Sequence, residues 1–124
     1  MAAAMTAPDP GADRPLSRDA AERLADTMFA LATPSRLQIL AVLRSGPRTV
    51  SEIIAVVGME QSAVSHQLRV LRDNGVVSVE RRGRERLYGL RDRHIAKLLD
   101  HARRHLLELK GLGAETGERL DRTG

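Results

Sequence analysis

The chain of 124 residues has no cysteine, which removes disulfides, thiolate nucleophiles and sulfur-rich metal sites together. Tryptophan is also missing, and aromatics make up only 2% of the residues, one tyrosine and one phenylalanine. The core must therefore be built from Leu, Val, Ile and Ala, and a core that small gains from burial against a partner. No apolar run approaches the roughly 20 residues that span a bilayer, and the N-terminus lacks the charged-then-apolar order of a secretion signal. These absences predict a soluble, cytoplasmic, single-domain protein.

Positive charge is abundant, with 20 Lys plus Arg against 16 Asp plus Glu. Most of the cations are arginine, whose planar fork suits phosphates and guanine edges. Net charge alone points only weakly to nucleic acid.

Residues 1–16, rich in Ala, Pro and Asp and without period, read as a disordered tail. Ser17 is placed to cap a first helix reaching about Ala32, with Leu24, Met28 and Leu31 at helical spacing. Thr33 and Pro34 open a second helix, which Gly46-Pro47 stops. Thr49 and Glu52 have capping-box spacing and open a third, ending at Gly58. A fourth spans about Gln61 to Asp73 and stops at Asn74-Gly75. The period then changes, and "VVSVERRGRERLYGL" predicts two short strands around Arg82-Gly83-Arg84. A last helix covers about 92–110, and the glycine-rich end, 111–124, reads as a flexible tail. The folded domain is thus expected over 17–110, mainly α with one small β-hairpin.

Helix, turn, helix and basic hairpin follow the winged helix-turn-helix order. On the fourth helix Val64, Leu68 and Leu71 form one apolar face. Ser62, Ser65, His66 and Arg69 lie opposite, a set sized to enter a major groove, with Gln61 at the helix start able to pair with adenine. The plainer reading of such a face is solvated surface. The hairpin adds Arg81, Arg82, Arg84 and Arg86, with Glu80 and Glu85 nearby. Arginines on a tip can track phosphates or enter a minor groove, so the two elements together carry more than either alone.

At this point "ALATPSRLQILAVLRSGP", "EQSAVSHQLRVLRDNGVV" and "RGRERLYGL" resemble the ArsR/SmtB family of dimeric bacterial winged-helix repressors over about residues 20–110. The resemblance implies a homodimer, joined through its N- and C-terminal helices, that binds palindromic operator DNA and is released by an inducer. It does not fix the inducer.

The last helix, "RDRHIAKLLDHARRHLLE", carries Asp92 with His94 near its start and His105 with Glu108 near its end. His94 and His105 are eleven positions apart, which returns to nearly the same face but separates them by roughly 16 Å along the axis. No ion with metal–nitrogen bonds of about 2 Å bridges that gap. Two copies packed antiparallel about a twofold near residues 99 and 100 would instead create two sites, each with two imidazoles and two carboxylates. Leu98, Leu99, Ala102 and Leu106 are the expected apolar contacts of that interface. The spacing Asp-x-His, ten residues, His-x-x-Glu resembles the final-helix metal site of the family's zinc-sensing branch, which makes Zn(II) the expected inducer, with cobalt or nickel as alternatives. No histidine precedes His66 or follows His105, which argues against a six-coordinate nickel site. His105 is further expected to donate a hydrogen bond to the backbone of the fourth helix near His66.

Each ligand has a plainer reading. Asp92 alone fits an N-cap, Glu108 a surface acid, and a histidine facing a partner is more often packed than metal-bound. His101, four residues before His105, reads as a surface or interface residue, with a ligand role left open. Rival functions are a repressor with a vestigial metal site and another inducer, a winged interaction module without DNA and, weakest, an enzyme. The metalloprotease order His-Glu-x-x-His is absent, and four protein ligands leave no open metal position for water.

Overall fold

The computed structural model describes Met5 and residues 14–110; the two tails expected from sequence lie largely outside that range. The order is α1 (Arg18–Leu31), α2 (Pro34–Leu43), α3 (Val50–Val57), α4 (Gln61–Asp73), β1 (Val77–Arg82), β2 (Glu85–Leu90) and α5 (Arg93–Lys110).

The helix starts are set by side-chain oxygens. Ser17 Oγ accepts from the Ala20 amide at 3.0 Å, and Thr33 Oγ1 accepts from Arg36 at 3.3 Å. At α3 the capping box is complete, with Thr49 Oγ1 accepting from Glu52 N and Glu52 Oε1 accepting from Thr49 N. Each arrangement satisfies amides that the first helical turn leaves without partners. The chain leaves α4 through Gly75 at φ 72, a left-handed conformation that a side chain would strain.

The apolar face of α4 lands where its period requires: Val64, Leu68 and Leu71 are essentially inaccessible and meet Ile39, Leu40 and Ile53 in one cluster. Val76, Val77 and Tyr88 extend that cluster under the hairpin, and no polar side chain is buried among the described residues. Burying side chains of this size contributes roughly 1.5–3 kcal/mol each.

β1 and β2 pair antiparallel from Val77↔Leu90 to Arg82↔Glu85, leaving Gly83-Arg84 as a two-residue turn. Only Gly83 of the two has a positive φ, 64, which matches the tight turns that suit strand twist. The structure adds a contact that has no periodicity to announce it. Arg48, in the link between α2 and α3, exchanges both backbone hydrogen bonds with Tyr88, at 2.9 and 2.8 Å. The helix-turn-helix is thereby stitched to the wing.

α5 packs on β2 and against the core through Ile95 and Leu99. Leu99 is spent inside its own chain, because it lies one turn from Ile95 on the same face. Leu98 and Leu106, by contrast, remain 42% and 44% exposed. On α1, Leu31 is buried but Leu24 and Met28 stay half exposed.

Candidate nucleic-acid interface and metal centre

The reading face of α4 is free. Ser62, Ser65, His66 and Arg69 are exposed on the side away from the buried Val64, Leu68 and Leu71, and Gln61 is exposed at the helix start. Gln67 is not part of that face. It accepts a 2.8 Å hydrogen bond from Arg36 Nε, while the same guanidinium donates to the Phe29 and Ala30 carbonyls at the end of α1. Arg36 therefore ties α1, α2 and the reading helix through one side chain, and it also sits over the Phe29 ring at 6.0 Å.

On the wing, Arg82, Arg84 and Arg86 project into solvent, and Arg82 makes a 3.4 Å ion pair with Glu80. Between wing and reading helix lies a cleft lined by Ser65, Leu68, Arg69, Arg72, Arg86 and Tyr88. The sequence reading omits Arg72 and Tyr88 from the site. The spacing of Ser65, Arg69 and Arg72 at i, i+4 and i+7 is the signal that could have found Arg72. Tyr88, spaced as a strand residue, reads from sequence only as core.

At the start of α5, Asp92 Oδ1 accepts from the amides of His94 at 2.9 Å and Ile95 at 3.2 Å, so this carboxylate caps the helix. His94 Nδ1 lies 3.6 Å from the same oxygen. Two ligands on bonds of about 2 Å at a tetrahedral angle stand roughly 3.3 Å apart, so this pair is close to the spacing a shared cation requires. The cap occupies one carboxylate oxygen and leaves the other available. His105 and Glu108 are exposed one turn apart near the far end. Within one chain, no three His, Asp or Glu side chains converge among the described residues. Nitrogen and carboxylate donors of this kind fit a borderline divalent cation such as zinc, but only if two chains contribute.

No hydrogen bond joins His105 to α4 among the described residues, and its side chain faces solvent. The firmest link from α5 to the DNA-reading half is instead a two-pronged pair in which Arg44 Nε and Nη2 donate to Asp100 at 2.9 and 2.8 Å. That hydrogen bonding holds the Asp100 carboxyl below its ordinary value and raises the Arg44 guanidinium further. Sequence spacing gives no sign of it, since the partners are 56 positions apart. Beyond the pair, α2 and α5 flank an open, mostly apolar groove of about 340 Å³ lined by Leu37, Ala41, Leu99, Ala102 and Leu106.

Five helices around a two-stranded basic wing, with an exposed polar face on the fourth, define a winged helix-turn-helix protein. Residues 33–79 match the family model described as bacterial regulatory protein, arsR family. The chain is 56% identical over 91 residues to the HTH-type transcriptional regulator NmtR of Mycobacterium tuberculosis, covering 73% of this chain and 76% of that protein. It is 39% identical to a transcriptional repressor SmtB homolog of Synechocystis, covering 75% and 70%. A solution structure from Mycobacterium bovis, described as the homodimeric winged helix-turn-helix DNA-binding domain of Mb0332, superposes with a TM-score of 0.70 at 30% identity, covering 82% of this chain and 96% of that one. The chain belongs to the ArsR/SmtB family, whose members are DNA-binding transcriptional regulators and not enzymes. No helix among the described residues is long and apolar enough to cross a membrane.

Proposed function

We propose that this chain is a metal-responsive transcriptional repressor that acts as a homodimer on a palindromic operator. Gln61, Ser62, Ser65, His66 and Arg69 face the major groove, and Arg82, Arg84 and Arg86 of the wing meet the flanking backbone and minor groove. Zn(II) is the inducer, with cobalt second and nickel third. It binds two sites across the interface, each made by Asp92 and His94 of one chain with His105 and Glu108 of the partner subunit.

One observation carries this reading. Two exposed ligand pairs stand at opposite ends of a single helix, and the Leu98, Ala102 and Leu106 side chains between them are left uncovered. An antiparallel twin supplies both missing covers at once, because a twofold interface is self-complementary. Leu24 and Met28 of α1 are likewise half exposed. When bound, the ion supplies a fixed set of bonds across that interface. It shifts the dimer only by binding one geometry more tightly than the other, typically by about 1–3 kcal/mol.

A second reading, a winged-helix repressor with a vestigial site and another inducer, draws on the capping role of Asp92, which keeps that residue occupied without metal. Fluorescence anisotropy on the DNA upstream of the gene separates the two. Zinc is expected to release the DNA at lower free concentration than cobalt or nickel, and chelator to restore binding. His105→Ala is expected to hold DNA in either condition. Release by none of the three metals would leave the second reading standing.

A further inference from the structure

The two faces of the wing differ in charge. Directly paired residues share a face, so the register puts Glu80, Leu87, Arg82 and Glu85 on one side of the hairpin. Val77, Val79, Tyr88, Arg81 and Arg86 stand on the other. The second face is the inner one, since Val77 and Tyr88 are buried in the core. Both glutamates of the hairpin are therefore outside, where Glu80 and Arg82 pair, and no acid stands on the inner face. Arg81 and Arg86 oppose each other directly there, an arrangement that destabilises an isolated hairpin.

That inner face looks onto one flank of α4. Ser65, Arg69 and Arg72 follow at one-turn intervals and, with Leu68, Arg86 and Tyr88, line an open cleft of about 180 Å³. Among the described residues, none of the Arg69, Arg72 and Arg86 guanidinium groups makes a hydrogen bond or ion pair. Three guanidinium groups around one cleft repel each other until an anion enters. The guanidinium fork matches phosphate oxygens two at a time.

The nature of that anion follows from docking geometry. A reading helix in the major groove and a wing over the adjacent minor groove must straddle the sugar–phosphate strand that divides the two grooves. That strand runs beneath the space between helix and wing, which in this protein is the arginine-lined cleft. We propose that the cleft is a seat for one backbone phosphate of the dividing strand, gripped by Arg69, Arg72 and Arg86. The proposal rests on the DNA-binding reading above and adds Arg72 to it as a binding residue. Contacts of this kind fix register and orientation and carry no base information.

The test uses the full-length protein and two labelled duplexes of equal length, the DNA upstream of its gene and a scrambled version. Anisotropy is read across a salt series for the wild type, Arg72→Gln, Arg72→Gln/Arg86→Gln and, as a control remote from the cleft, Arg18→Gln. Arg72→Gln is expected to weaken both duplexes by the same factor, roughly tenfold at low salt. In the double variant, losing one seated phosphate per protomer, two per dimer, lowers the slope of log affinity against log salt by about 1.8. Its penalty therefore shrinks about 12-fold between 0.05 and 0.2 M salt. Arg18→Gln leaves slope and affinity unchanged, and thermal melts confirm that every variant folds. A double variant with the wild-type slope overturns the seat while leaving DNA binding intact. Weakening confined to the upstream duplex also overturns it, because Arg72 would then be reading bases. A wild type that binds neither duplex overturns the underlying DNA reading and the seat with it.

Discussion

The DNA-reading half, α2 through β2, and the last helix are built on opposite terms. In the reading half, Ile39, Leu40, Ile53, Val64, Leu68 and Leu71 close on one another and leave almost no apolar side chain of the cluster uncovered. α5 covers only one of its edges, Ile95 and Leu99, and shows Leu98, Ala102, Leu106 and every candidate ligand to solvent. The first region is complete as a single chain; the second, in the proposed function, is completed by a twin. In the proposed function, the contrast makes shape recognition of DNA and sensing of an inducer separable by residue, although the Arg44–Asp100 pair joins the two regions.

Three variants probe that separation. The largest effect is expected from Leu68→Ala, which opens a cavity in the closed half and costs about 2–5 kcal/mol. Against a total stability of about 5–15 kcal/mol, this shifts the urea midpoint strongly and weakens DNA binding and metal response together. An unchanged midpoint would break the claim that this half is self-sufficient. Next comes Leu98→Asp with Leu106→Asp. Placing charges on the uncovered edge is expected to raise the dimer dissociation constant on the order of 100-fold or more, read by analytical ultracentrifugation, with the helical circular dichroism of the monomer retained. Loss of helicity together with dimerisation would mean that α5 does not stand without its partner.

The smallest effect belongs to Asp100→Asn. The hydrogen bond from Arg44 depresses the folded-state carboxyl below its ordinary value of 3.8. The pair therefore adds stability above that pH and loses it as pH falls through the lower folded-state value. The side chains remain 44% and 37% exposed, so water screens the interaction. The denaturation midpoints of wild type and Asp100→Asn are expected to differ slightly at pH 7 and to converge in acid.

The same division governs what the sequence discloses. Helix starts and stops are local chemistry, so Ser17, Thr33, the Thr49–Glu52 box and Gly75 are readable in order, as is the buried face of α4. The exposure of the candidate ligand pairs at the two ends of α5 is readable because a helix converts spacing into direction. The links between elements are not readable in this way. Arg44 with Asp100, Arg36 with Gln67 and Arg48 with Tyr88 depend on how finished elements lie against each other, and no period in the chain encodes that. Leu99 shows the limit from the other side. Its spacing suits a seam between copies as well as a seam with its own core, and packing on Ile95 and the core assigns it to the second.

The fastening of α5 has a mechanical side. Ile95, Leu99 and Asp100 hold its first half to the body of the chain, and among the described side chains from His101 to Leu109 only Leu107 is partly buried. Glu108 therefore lies about 12 Å along the axis past Asp100, on the more exposed second half of the helix. In the proposed pairing, each ion would buckle the free tip of one arm to the anchored root of the other. The cation then works as a clasp: it stiffens two overhanging beams by lending each the foundation of its neighbour.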